Sequence, residues 1–199
     1  MLLTEFDANR QAIINPEALH EPLEGFPKIA VSCFSRLTFQ RMLEMFPHEL
    51  IYETSMANVA IPIYKLVIDD NELAIFNAPV GASACVAILE DIFALGADKL
   101  VLFGTCGVLD EDIKETSIII PSHALRDEGT SFHYVEASDE IAVNVGVLDR
   151  FRSYLNERQI SHKEGKVWTT DGIYRETNGK LKARKSAGAI CVDMECSAV

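Results

Sequence analysis

Hydrophobic and polar positions along the chain alternate between two periods. Lys28–Cys33 (KIAVSC) is a short apolar run, and Leu37–Phe46 follows with Leu37, Phe39, Met42, Leu43, Met45 and Phe46 at helical spacing. Asn58–Ile68 and Glu72–Ala78 are β-rich runs joined by Asp69-Asp70-Asn71, the composition of a hairpin turn. Ser83–Leu95 is again helical, with Gly96 at the position where helices stop. Lys99–Phe103 (KLVLF) is a continuous apolar strand that runs into Gly104-Thr-Cys-Gly107. Ser117–Pro121 and Lys163–Thr170 read as strands, and Asp139–Gln159 as a helix with Ile141, Val145, Leu148, Phe151 and Leu155 on one stripe. Leu181–Ser186 reads as a helical piece ended by Gly188, and Ala189–Val192 as a last short strand. Repeated strand, helix, strand predicts an α/β fold with a central mixed, largely parallel sheet flanked by helices. No repeat or linker divides it, so residues 1–199 are expected to form a single domain. Asp193–Val199 (DMECSAV) reads as the opening of a helix at which the chain stops, which predicts a fold incomplete at its C-terminus.

Composition narrows the class without naming an activity. Of 199 residues 48% are hydrophobic and 24% charged, ordinary globular usage that excludes disordered, collagen-like and coiled-coil chains. Eighteen Lys and Arg against 30 Asp and Glu leave a net charge of −12, which disfavours nucleic acid as a partner because a phosphate backbone needs a basic face. The densest basic group, Lys180, Lys182, Arg184 and Lys185, reads as a solvated helix face. No apolar run approaches the roughly 20 residues of a membrane helix, and Met1-Leu-Leu-Thr-Glu-Phe-Asp lacks the layout of a signal peptide. A cytoplasmic protein without a membrane partner is expected. The five cysteines are scattered without a CxxC pair and read as reduced thiols, and the histidines and acids show no metal-ligand spacing.

Four segments carry candidate chemistry. Gly104–Gly107 follows a buried-type strand, where α/β sheets place ligands; its glycines admit a close backbone approach, and the Thr105 hydroxyl can hold an anion or a heterocycle. An ordinary strand-exit turn has the same composition. Asp193-Met194-Glu195 follows another strand, and a carboxylate there can accept from both hydroxyls of a ribose diol. Two acids in the first turn of a helix are equally well explained by its dipole. Arg126–Tyr134 is a polar loop in which His133 could protonate a leaving group or simply face solvent. Trp168–Thr177 offers Ile173 and Tyr174 as walls for a flat ligand, or as surface loop residues.

Taken in order, Gly104–Gly107, EGTSFHY (Glu128–Tyr134), TTDGIYRET (Thr169–Thr177) and VDMECSAV (Val192–Val199) resemble the nucleoside phosphorylase superfamily, in its purine/uridine phosphorylase branch. The resemblance runs from about Phe26 to Val199. It implies a pentosyltransferase that cleaves the N-glycosidic bond of a nucleoside with inorganic phosphate as co-substrate and no other cofactor. It also implies a homo-oligomer, a dimer or a hexamer built from dimers. By motif position Glu195 matches the glutamate that grips the ribose 2′- and 3′-hydroxyls, and Met194 the methionine against the sugar. Thr105 matches the residue that contacts phosphate and sugar, and Cys106 and Gly107 the backbone edge of the base pocket. Asp193 takes the place of an acid beside the base, and Ile173 stands where an aromatic often stacks. His133 is carried over as a candidate.

Four departures bear on what the resemblance implies. The family's first strand ends in a Gly-Asp-Pro-x-Arg phosphate loop, whereas this chain reads Ser32-Cys-Phe-Ser-Arg-Leu-Thr38, with Thr38 in the arginine's place. A second phosphate arginine is replaced by Leu102. Each lost guanidinium removes bonds worth about 1.5–3 kcal/mol, so two losses cost roughly 2 to 4 orders of magnitude in phosphate affinity. Arg36 or Arg41 is the candidate replacement; without one, water takes the place of phosphate, as in nucleosidases. Family members also continue past the Glu195 motif through a strand and helix that carry the acid for purine N7. A shortened, inactive nucleoside-binding member is therefore a further alternative. The Gln-x-Arg pair that reads uracil is absent after Tyr174, which leaves purine and pyrimidine equally open.

Overall fold

A computed structural model describes residues 2–114 and 117–199. The described residues group into two compact units. The first comprises Asn9–Val80 and Ala84–Thr105; the second comprises the described residues of Met1–Ala8, Gly81–Ser83 and Cys106–Val199.

The first unit is a five-stranded sheet covered on both faces. Its elements are β1 (Ile29–Cys33), α1 (Arg36–Met45), β2 (His48–Met56), β3 (Val59–Ile68), β4 (Asn71–Asn77), all but the first two residues of α2 (Ala82–Leu95), and β5 (Lys99–Phe103). The strand order is β2-β3-β4-β1-β5, with the β1 pairings parallel and the β2-β3-β4 meander antiparallel. Alternation along β4 separates the two faces: Ala74 and Phe76 pack with Ile88, Ile92 and Leu95 of α2, while Ile75 packs with Phe39 and Met42 of α1. Ser35 opens α1 by accepting from the Thr38 N–H at 3.2 Å. The β3–β4 turn has Asp69 and Asp70 at φ of +48° and +63°, the mirror-image turn that matches strand twist.

The second unit has its own five-stranded mixed sheet. It contains β6 (Gly107–Val108), β7 (Ile118–Asp127), β8 (Glu140–Ala142), α3 (Val145–Glu157), β9 (His162–Thr170), α4 (Asn178–Ser186) and β10 (Ala189–Asp193). The order is β6-β10-β9-β7-β8; β7, β9 and β10 run parallel, and the outer pairings are antiparallel. Trp168, Leu125, Ala189 and Val192 form one core, and Leu148 and Leu155 of α3 pack on Ile120 of β7 to form another.

The α/β class and the mixed sheet are as the periodicity predicts, with the strands divided between two ladders. Several boundaries differ, each for a physical reason. The strand expected over 117–121 runs to Asp127, because a register shift between Pro121 and His123 accommodates the proline that reads as a strand end. The helix expected over 139–159 begins at Val145: Glu140–Ala142 pairs with β7 instead, and Asn144 caps the helix by accepting from the Val147 N–H. The nine-residue β2 is absent from the periodic pattern because only Thr54 of the strand is buried. Asp193–Val199 forms a turn closed by the Ala198 and Val199 N–H groups on the Glu195 carbonyl, not a helical start. Among the described residues no helix is long and apolar enough to cross a membrane.

Candidate functional site

In the second unit β7, β9 and β10 reach their carboxyl ends together, with Arg126 opposite Thr169 and Thr169 opposite Asp193. This is the edge at which α/β sheets bind ligands. Asp193 reverses the chain there. Its Oδ1 accepts from the Thr169 hydroxyl at 2.7 Å, and its Oδ2 accepts from the Cys196 N–H at 2.8 Å and the Glu195 N–H at 3.4 Å. Ser197 continues the turn: its N–H donates to Thr169 Oγ1 at 3.1 Å and its hydroxyl to Glu128 Oε1 at 2.9 Å. Glu128 also accepts from the Ser131 N–H and hydroxyl, and Arg126 Nε donates to Ser131 Oγ at 2.8 Å.

Glu195 is treated differently from Asp193. Its Oε1 accepts from the Gly81 N–H at 2.6 Å, and no side-chain donor among the described residues meets the carboxylate. The residue is 7% exposed. Burial pushes its pKa up and the charge of Asp193 adds to that, against the Gly81 and Met194 N–H groups. Burial likewise raises Asp193, against the Thr169 hydroxyl and the turn N–H groups, with Glu128 adding to the rise. Asp193 therefore spends both oxygens on building the turn, while Glu195 keeps acceptor capacity for a ligand.

The other expected site residues fall into three groups. Cys106 and Gly107 stand beside β10, and a Cβ on Gly107 would come within 2.9 Å of Val192 Cγ1, so only glycine permits that pairing. The Cys191 thiol donates to Cys106 and lowers the Cys106 pKa to about 7; Cys191 itself is raised by the same bond and by burial. His133 ends a short 3-10 turn, Thr130–His133, and is exposed. Ile173 and Tyr174 lie in a second such turn at 55% and 95% exposure, and the Gly129 N–H donates to Asp171 at 2.9 Å, which ties their loop to the Glu128 loop. Met194 is half-buried between the two acids. Arg36 and Thr105 belong to the first unit, where parallel β1 and β5 place Cys33 opposite Phe103, so both residues follow the carboxyl ends of adjacent strands. Phe34 fills the space at Gly104, where a Cβ would approach its ring within 2.7 Å. Arg36 begins α1 and is exposed, as is Arg41, and Leu102 packs on the hydrophobic core. Among the described residues no group of three or more His, Cys, Asp or Glu side chains could hold a metal.

Sequence reasoning did not single out Gly81, Arg126, Glu128, Ser131, Thr169 or Ser197. Most stand inside the quoted motifs, but no spacing marks them as one hydrogen-bonded group.

The family model described as the phosphorylase superfamily matches residues 28–199. The chain belongs to the phosphorylase superfamily. Among curated superfamily members, a guanosine phosphorylase of Halorubrum lacusprofundi is 22% identical over 68% of this chain and 58% of its own length. A DeoD-type purine nucleoside phosphorylase of Brevibacillus brevis is 30% identical over 52% of this chain and 45% of its own. The chain thus spans about half the length of these relatives. The fold is similar to that of a uridine phosphorylase from Vibrio fischeri, with a TM-score of 0.78 at 20% identity over 94% of this chain and 78% of that one. It is also similar to a purine nucleoside phosphorylase from Toxoplasma gondii, with a TM-score of 0.76 at 18% identity over 90% and 74%.

Proposed function

We propose that this superfamily member is a nucleoside phosphorylase that cleaves the N-glycosidic bond of a purine or pyrimidine nucleoside and transfers the ribosyl group to inorganic phosphate. The observation that carries the reading is the Glu195 carboxylate, which accepts from the Gly81 N–H and, among the described residues, meets no side-chain donor. As the bond to the base breaks, positive charge builds on the ribose, and a carboxylate fixed on the 2′- and 3′-hydroxyls holds C1′ in line with its acceptor. Met194 would lie against the sugar. Cys106, Gly107, Asp193, Ile173 and Tyr174 would surround the base, and His133 would donate to it as it leaves as an anion. Arg36 and Thr105 would receive phosphate, Arg36 through its guanidinium. No cofactor beyond phosphate is required, and the active form is a homo-oligomer.

The test is release of free base from a panel of ribonucleosides with and without inorganic phosphate. Phosphate-dependent release is expected, and Glu195→Ala should lower kcat/KM roughly 10–100-fold, the worth of charge-assisted bonds to the sugar, while the protein stays folded. Undiminished turnover in that variant removes the assignment of Glu195. Equal release without phosphate makes the protein a nucleosidase, in keeping with Thr38 and Leu102 at the arginine positions. Nucleoside binding without release makes it an inactive binding member.

A further inference from the structure

Glu128 is 5% exposed, and a carboxylate at that depth requires donors on its oxygens. Two donors come from its own turn, the N–H and hydroxyl of Ser131. The third is the hydroxyl of Ser197, itself 4% exposed, which lies two residues beyond Glu195 and 69 residues from Glu128 in sequence. The guanidinium of Arg126 adds a counter-charge from behind. It is anchored by Ser131 Oγ, the Glu136 carbonyl and Ser138 Oγ at 2.8 Å each, and stacked 4.0 Å over the Phe132 ring. Ser197 is also held from the opposite side, where its N–H meets Thr169 Oγ1, and Thr169 in turn donates to Asp193.

We infer that Glu128 and Ser197 are positioning residues, which hold the Asp193–Ser197 turn so that the Glu195 carboxylate stays on the Gly81 N–H and faces the sugar. Neither touches the ligand. The bond between them joins the EGTS turn to the Asp193–Ser197 turn, whose other anchors among the described residues are Thr169 of β9 and the Gly81 N–H. A carboxylate on a turn free to rock loses alignment with a diol, at a cost that grows steeply with displacement. The catalytic part of this inference rests on the proposed role of Glu195, whereas the mechanical part is independent of any substrate.

Amide hydrogen exchange of the unliganded protein tests the mechanical part, with Gly81 as the reporter and Glu195→Ala as the upper limit of its exchange. Ser197→Ala should speed exchange at Gly81 and Cys196 about tenfold, well beyond any rise at the amides of Ala124 and Trp168, which report the loss of global stability from a buried carboxylate short of one donor. Adding Glu128→Ala to Ser197→Ala should give no further change at Gly81 beyond that of Glu128→Ala alone. Unchanged Gly81 exchange in Ser197→Ala overturns the inference, and so does a rise shared equally by every core amide. Should Glu128→Ala fail to fold, the Ser197 variant decides alone. In kinetics, Ser197→Ala should raise KM about tenfold for a ribonucleoside and much less for its 2′-deoxy analogue, a discrimination that a purely structural role would not alter. A wild-type protein that releases no base, with Gly81 exchange still raised in the variant, removes the proposed function and leaves the positioning role standing.

Discussion

At the scale of single residues, the two acids of the VDMEC segment divide their work through hydrogen bonding. Asp193 serves the chain and Glu195 remains available, although both follow the same strand. Availability has an energetic consequence. The Glu195 pKa is raised by burial, so the folded state binds its proton more tightly than the unfolded state does. The resulting penalty is absent below the ordinary glutamate pKa of about 4.3 and develops as pH rises through the raised value. Glu195→Gln is therefore expected to melt at a higher temperature than the wild type at pH 7–8, with the gain vanishing toward pH 4. Thermal scans across that range check it, and an equal gain at every pH refutes it. Cys106 is a second readout at this scale. Its thiol is half-buried and lowered to about 7 by the Cys191 thiol, whereas Cys196 is raised by burial and the neighbouring acids. Alkylation by iodoacetamide should therefore proceed first at Cys106, and Cys191→Ala should shift that reaction to higher pH.

At the scale of elements, α4 is held to its sheet by polar contacts more than by a core, since none of its residues is buried. Asp127 at the end of β7 accepts from Trp168 Nε1 and Lys180 Nζ, each at 2.9 Å, and lies 3.4 Å from an Arg184 nitrogen. Burial pushes its pKa up, but the Lys180 and Trp168 bonds and the Arg184 charge outweigh that and hold it below the usual carboxylate range. The sign is thus opposite to that of Glu195: the stabilisation is present above the ordinary aspartate pKa and lost as pH falls below it. Asp127→Ala, which strands the buried indole N–H, should cost about 1–3 kcal/mol at pH 7, measured by urea unfolding. The cost should shrink as pH falls below about 4. Hydrophobic periodicity located α1, α2 and β9 to within about a residue because each buries a face or a stripe in its own sheet, and β5, none of whose residues is buried, because Leu100 and Leu102 still pack on the core. It missed β2, whose side chains mostly face water, and it read through β8 because three edge residues leave too little pattern to oppose a helical stripe.

At the scale of the whole molecule, a net charge of −12 acts on any anionic co-substrate. Screening at 0.15 M salt shortens the reach of that field to about 8 Å. If Arg36 and Thr105 receive phosphate against such a field, KM for phosphate should fall as NaCl is raised from about 0.01 to 0.15 M, while KM for the uncharged nucleoside holds steady. Initial-rate kinetics at constant pH measure both, and a phosphate KM that rises with salt would show that local positive charge dominates.

The sequence by itself determined the α/β class, the main strands and helices, the superfamily and the two-acid motif, because periodicity, turn chemistry and short motifs are local properties of the chain. Tertiary structure alone decided what the acids do. The Gly81–Glu195 bond spans 114 residues and the Glu128–Ser197 bond 69, and no local pattern encodes which polar groups meet across such distances. The parallel register of β7, β9 and β10 brings the Glu128 and Asp193–Ser197 segments to one edge. Burial at that edge drives most polar groups to a partner, with Arg126 Nη2 left unpartnered, and Glu195 is the carboxylate there that meets no side-chain donor of the described residues.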